Sequence, residues 1–165
     1  MVRRNIDGSG AFSPNRHDYF RTIAETLPDR HSRQVIWRDR VLVSQSSNTI
    51  PLIAVVDDDE DVRTALYDLL GSLGYAAKLY ETADAFLVSG MASQVACVIS
   101  DVQIPGTNGL QLARLMHARK VPTILITAFP TPEVEQQAEA AGVRMLLVKP
   151  FDSDRLIAEL GDLLA

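Results

Sequence analysis

The sequence predicts an α/β fold, a five-stranded parallel sheet with helices on both faces, over residues 52–165. Three observations predict it. From Leu52 onward, short apolar runs alternate with stretches whose apolar residues recur at helical spacing. Several of the runs are apolar throughout, as in strands covered on both faces, rather than alternating apolar and polar. Polar residues that can do chemistry follow directly after those runs.

The elements follow in order. "LIAVV" is a short apolar strand. Val62, Ala65, Leu66, Leu69, Leu70 and Leu73 then share one face of a helix that Gly74 ends. "AAKLY", residues 76–80, is a weaker second strand, and Thr82 caps a short helix through about Val88. "ACVIS", residues 96–100, is a third strand. Leu110, Leu112, Leu115 and Met116 mark the next helix. "PTILIT", 122–127, is a fourth strand, and Thr131 with Pro132 opens a helix that stops at Gly142. "RMLLV", 144–148, is the fifth strand. Asp152 or Ser153 starts a last helix with Leu156, Ile157, Leu160, Leu163 and Leu164 turned inward. This (βα)₅ order gives right-handed crossovers, so every strand delivers its carboxyl end to one edge of the sheet. Ligands of such sheets bind at that edge.

Residues 1–50 differ. They hold eight arginines against five acids, whereas residues 51–165 hold eight bases against sixteen acids. They read as an N-terminal extension, either loosely ordered or the product of an upstream start site, with 51–165 as the folded domain. Within the extension only "DYFRTIAETLP" shows helical spacing, from Tyr19 to Leu27. The acidic balance of 51–165 argues against direct nucleic-acid binding by that part. No apolar run approaches the roughly 18 residues that span a bilayer, and no signal-peptide core is present, so a cytoplasmic protein is expected. The single cysteine, Cys97, lies in an apolar run and reads as a core residue. His17, His31 and His117 have no partners at metal-ligand spacing.

The predicted strand ends collect an unusual set. "LIAVVDDDEDVR" ends the first strand in five consecutive acids, so Asp57 and Asp58 lie at the rim. The third strand delivers Asp101, the fourth Thr127, and the fifth Lys149 followed by Pro150. Crowded carboxylates repel one another and favour a bound cation, and an all-oxygen set suits Mg²⁺. A carboxylate there is also a nucleophile toward a phosphoryl group, with Lys149 and Thr127 placed to hold its oxygens. Asp59, Glu60 and Asp61 read as first-turn charges at the positive end of a helix dipole.

These stretches resemble the receiver domain of two-component response regulators. "VVDDDEDVR", "VISDVQIPGTNG", "ILITA" and "LLVKPF" carry the resemblance, which spans residues 52–165. It implies a flavodoxin-like sheet of strand order 2-1-3-4-5. It implies that Asp101 accepts a phosphoryl group from a histidine kinase or histidine phosphotransfer protein. Mg²⁺ would be held by Asp57, Asp58, Asp101 and the backbone carbonyl of Gln103. Thr127 and Lys149 would grip the phosphoryl group, and the Lys149–Pro150 bond would be cis. Such a domain catalyses only its own phosphotransfer and dephosphorylation. The expected output surface is the fourth helix, fifth strand and fifth helix, toward an unknown protein partner or a phosphorylation-dependent dimer. With no effector pattern after the fifth helix, output through protein contact is expected.

Three positions depart from the family pattern. Leu146 stands where many members have an aromatic residue that swings inward on activation. Phe129 is a large apolar group two residues past Thr127, and Gln103 is an amide two past Asp101. Ordinary packing is the competing reading for Leu146 and Phe129. Other readings of the whole were weighed. A haloacid-dehalogenase-like Mg²⁺ phosphatase would carry its nucleophile after the first strand, not the third. A flavodoxin-like FMN protein would need a phosphate loop where this chain has acids. A receiver kept as a non-phosphorylated scaffold would not require the complete Asp, Thr and Lys set.

Overall fold

In the computed structural model, residues 49–165 are described. The extension expected at 1–50, apart from its last two positions, lies outside them. The chain runs β1 Leu52–Val56, α1 Glu60–Ser72, β2 Ala76–Tyr80, α2 Ala83–Val88, a 3₁₀ turn Met91–Ser93, β3 Cys97–Asp101, α3 Gly109–Ala118, β4 Thr123–Thr127, α4 Pro132–Ala140, β5 Met145–Val148 and α5 Ser153–Leu164. All five strands are parallel, in the order β2-β1-β3-β4-β5. The predicted class and strand order hold.

The local signals explain the element boundaries. Asp59 caps α1, its Oδ1 accepting from the Asp61 amide at 3.0 Å. Thr82 Oγ1 accepts from the Ala85 amide and Thr131 Oγ1 from the Val134 amide, at 3.1 and 3.3 Å. Asp152 caps α5. Asn108 and Gln111 exchange side chain-to-backbone bonds as a capping box at α3. Each cap satisfies amides that the first helical turn leaves open.

Two apolar layers sandwich the sheet. On one side, Val62, Leu66, Leu69 and Leu70 of α1 and Leu156 and Leu160 of α5 pack with Ile53, Val55, Cys97, Ile99, Ile124, Ile126 and Leu147. On the other, Ala83 and Phe86 of α2 meet Leu112 and Met116 of α3 over Ala54, Val56 and Val98. A smaller cluster of Val102, Leu110, Ala113, Leu125, Ala138 and Ala141 seats α4, with Leu146 packed against it. Leu146 thus takes the packing role of the two read from sequence. Strand β3 is buried along its whole length, as is β4. That burial fixes the backbone from which Asp101 and Thr127 project. The third strand runs one residue further than its apolar pattern, because Asp101 itself pairs with Ile126.

Candidate functional site

The rim at the carboxyl ends of β1, β3, β4 and β5 gathers most of the predicted residues. Asp57 and Asp101 are both buried, 2% and 6% exposed. Lys149 joins them. Its Nζ lies 3.1 Å from Asp57 Oδ2 and makes a short ion pair with Asp101 Oδ2. The backbone sets these positions. The Lys149 amide donates to the Thr127 carbonyl at 2.7 Å, just past the β4–β5 ladder, and the Lys149–Pro150 peptide is cis as expected. Thr127 is fully buried, and its Oγ1 accepts from the Phe129 amide at 3.2 Å.

The carboxylates are oriented by local backbone. Asp57 Oδ1 accepts from the Asp59 amide at 2.9 Å, and Asp101 Oδ1 from the Gln103 amide at 2.7 Å. Each is a two-residue turn that fixes one carboxylate oxygen and leaves the other for Lys149. Arg63 of α1 adds a bond from Nη1 to the Asp57 carbonyl at 2.6 Å, a contact that no sequence pattern announced.

Burial dominates the electrostatics. It pushes the Asp57 carboxyl pKa up, and the Asp59 amide and Lys149 ammonium offset this only in part. For Lys149, burial alone would lower the pKa. The hydrogen bond it donates to Asp101 and the charges of Asp57 and Asp101 outweigh it, so the ammonium is held above its ordinary value.

Asp58 and Gln103 stand apart: both side chains are exposed. Among the described residues, no three His, Cys, Asp or Glu side chains are grouped closely enough to hold a metal alone. The sequence pictured three carboxylates gathered a few ångströms apart; here Lys149 stands between two of them and the third faces solvent. The set still fits Mg²⁺. Its atoms are all hard oxygens, Mg²⁺ takes few protein ligands and keeps several waters, and the buried Asp57 carboxylate is a group whose charged form a cation would stabilise. Asp59, Glu60 and Asp61 occupy the cap and first turn of α1. Phe129 is 67% exposed, which removes the core-packing reading for its ring.

The loop after Asp101 closes tightly. The Gly109 amide donates to the Val102 carbonyl at 3.1 Å, and a Cβ on Gly109 would overlap the Asp101 carbonyl oxygen, so only glycine fits. Ile104 is buried against Ala83 and Phe86 of α2. Asp84 of α2 accepts from Thr107 Oγ1 at 2.6 Å and from the Thr107 amide at 3.3 Å. Sequence reasoning passed over Asp84, which looks like any first-turn acid.

Comparison with known proteins agrees with this geometry. The family model for the response regulator receiver domain matches residues 53–161. The transcriptional regulatory protein FixJ of Bradyrhizobium diazoefficiens is 36% identical over 108 residues, covering 64% of this chain and 53% of FixJ. The C4-dicarboxylate transport transcriptional regulatory protein DctD of Rhizobium meliloti is 33% identical over 109 residues, 65% of this chain and 24% of DctD. The chain spans about half the length of FixJ and less of DctD. Among solved structures, a response regulator receiver protein from Burkholderia phymatum is 41% identical, with a TM-score of 0.61 over 69% of this chain and 94% of that one.

Proposed function

The chain belongs to the response regulator receiver family, and from that premise we propose that Asp101 is the phosphoacceptor of a signalling switch. One observation carries the assignment. Lys149, from the end of β5, bridges a buried carboxylate on β1 and another on β3, and of the two only Asp101 ends the central, fully buried strand. The phosphatase, FMN and scaffold readings are not favoured by the family match.

The residues can do the following. Gln103's amide holds Asp101 Oδ1 and directs the carboxylate. An Asp101 oxygen attacks phosphorus in line as the bond to the donor breaks, and the donor leaves with that electron pair. Lys149 Nζ, already at the acceptor, exchanges its contact with Asp101 Oδ2 for a phosphoryl oxygen. Thr127 Oγ1 accepts from the Phe129 amide and has its own proton to donate to another phosphoryl oxygen. Asp57, Asp58, Asp101 and the Gln103 carbonyl would hold Mg²⁺, which supplies charge neutralisation for the transferred group. Hydrolysis is the reverse geometry with water as nucleophile. The domain then turns over only its own phosphoryl group.

The donor read for this site is a histidine kinase or phosphotransfer protein, and residues 51–165 are the receiving unit with 1–50 an extension to it. The output face read for it is α4, β5 and α5, where Val148 of β5 is an exposed apolar group, 41%. Among the described residues no helix is long and apolar enough to cross a membrane, in keeping with a cytoplasmic site of action.

The test is labelling by a small phosphodonor with Mg²⁺. Asp101→Asn should take no acyl-phosphate label, against stoichiometric labelling of the native chain. Retained acid-stable, base-labile label in that variant would sink the assignment. Beryllium fluoride with Mg²⁺ should bind one-to-one to the native chain.

A further inference from the structure

Asp84 and Thr107 are 23 positions apart, yet they form a two-bond clasp between α2 and the loop that follows Asp101. We infer that Asp84 is a positioning residue: through Thr107 it fixes the loop that carries the Gln103 carbonyl, and so sets the affinity of the rim for a divalent cation. The inference rests on the Mg²⁺ reading proposed above.

Four observations place the clasp in that role. The loop is a short closed ring, pinned at its base by the Gly109 amide on the Val102 carbonyl. Its near side is tied to the acceptor, because the Gln103 amide donates to Asp101 Oδ1. Its middle is plugged into α2 by Ile104, buried with Ala83 and Phe86. Its far side is held by Asp84, whose two oxygens take the Thr107 hydroxyl and amide, next to the Asn108–Gln111 cap where α3 begins. Gln103 is therefore suspended between the acceptor and the clasp.

The fit of Gly106 supports the same conclusion. It sits at φ +76°, and a Cβ there would overlap Asp84 Oδ2. The loop is built so that the carboxylate can lie directly over it. The Thr107 hydroxyl, then its amide, also hold the Asp84 carboxyl below its ordinary pKa, which favours the ionised form that accepts both bonds. A backbone carbonyl binds a cation well only if its direction is fixed beforehand, since a mobile loop must be ordered on binding. Partners behind a metal ligand commonly matter for that reason.

The test uses the full chain. Mg²⁺ is titrated into the unphosphorylated protein and binding is followed by amide NMR shifts, with Thr107 amide hydrogen exchange measured in the absence of metal. Asp84→Ala should weaken Mg²⁺ binding about tenfold, the low end for partners behind a metal ligand. Thr107 amide exchange should speed up in the same variant. Thr107→Val, which keeps the amide bond but loses the hydroxyl, should fall between native and Asp84→Ala. Thr107→Ser should restore native affinity. With small-phosphodonor labelling, the half-maximal Mg²⁺ should rise while the rate at saturating Mg²⁺ stays native. Unchanged Mg²⁺ affinity in both Asp84→Ala and Thr107→Val, or a loss confined to melting temperature or to the saturating rate, overturns the inference. The two readings fail separately. If the native chain binds no Mg²⁺ or Asp101→Asn is still labelled, the site reading fails; if those hold and the clasp variants bind Mg²⁺ as native, only the clasp fails.

Discussion

Helices α1 and α4 cover opposite faces of one sheet, and they are held very differently. Helix α1 buries Val62, Leu66, Leu69 and Leu70, with Leu73 packed behind them. Helix α4 buries only Ala138 and rests otherwise on half-buried Val134. Its remaining residues, "PE" and "EQQ" among them, face solvent. A side chain as small as alanine contributes little dispersion or transfer energy, so α4 is seated by shape more than by area. The site lies between these two regimes. Asp57 projects from the strand beside α1 and is tied to that helix by Arg63. Thr127 ends the strand that leads into α4. Chemistry at the rim therefore has one side that cannot yield and one side that can. Elements that move in switching are drawn from the weakly held end of a structure.

The largest effect that would break the contrast is a cavity under α1. Leu70 is fully buried. Leu70→Ala should cost about 3 kcal/mol, within the usual span for a buried leucine. Urea denaturation would read it directly, with a melting point lower by about 12 °C at roughly 4 °C per kcal/mol. A cost under about 1 kcal/mol would show that the α1 side relaxes freely and is no firmer than α4.

Cys97 probes the same firm side without a mutation. It is fully buried in the α1–α5 layer, and burial pushes its thiol up to about 12 from an ordinary value near 9.0, with the Glu159 charge adding to the rise. The thiol is the form the fold prefers. Its contribution to stability is complete below the unfolded-state value near 9.0 and is lost as pH climbs toward about 12. At pH 8 the native chain should resist iodoacetamide for hours and react fully in urea. Rapid labelling of native protein would mean that this layer opens easily. Cys97→Ala should flatten the alkaline loss of stability and leave the pH dependence below 9.0 unchanged.

The contrast was half legible in the sequence. The strands were readable because burial on both faces leaves no polar positions, and strand ends then deliver Asp57, Asp101, Thr127 and Lys149 to one rim by topology alone. The thinness of α4 was readable too, from a helix offering Val134 and alanines. Strand β2 reads as weak for a physical reason: it is a sheet edge, and none of its residues is fully buried. The apolar pattern puts Asp101 just past its strand, since a charge usually ends an apolar run, whereas pairing with Ile126 carries the ladder through it. The long-range ties were not legible. Asp84 has the look of a first-turn acid and Arg63 of a surface base. Nothing local marks the distant backbone that each one grips, and only the folded chain brings the partners together.

Phe129 tests the yielding side at a smaller scale. Its amide is fixed on Thr127 Oγ1, and the residue is 67% exposed. Hydrolysis of phospho-Asp101 needs water in line with the carboxylate oxygen that departs. A phenyl ring offers that water no hydrogen bond and screens its approach. Phe129→Ala keeps the backbone bond and removes the screen. Dephosphorylation should then quicken about tenfold, which corresponds to about 1.4 kcal/mol of barrier. Loss of label after the donor is removed is the measurement. Unchanged decay would assign the ring to partner contact on the output face instead.

The smallest effect should come from Val134, and it decides whether α4 is lightly held in fact. Val134 is half-buried against Val102, Leu110, Ala113 and Leu125. Val134→Ala removes two methyl groups, each contributing about 0.8 kcal/mol if wholly buried, so roughly half that sum is at stake. A cost of about 0.8 kcal/mol should lower the melting point by about 3 °C. Alanine also has the better helix propensity, which offsets part of the loss. The functional readout should exceed the stability one in relative terms. A helix already seated by little gains freedom when Val134 is trimmed, so amides of α4 should exchange faster while those of α1 do not change. If α4 and α1 amides quicken together, the two helices open as one unit, and the division of the rim into a fixed and a yielding side is wrong. If only α4 responds, a phosphoryl group on Asp101 gripped by Thr127 as proposed would have a low barrier to overcome in shifting it.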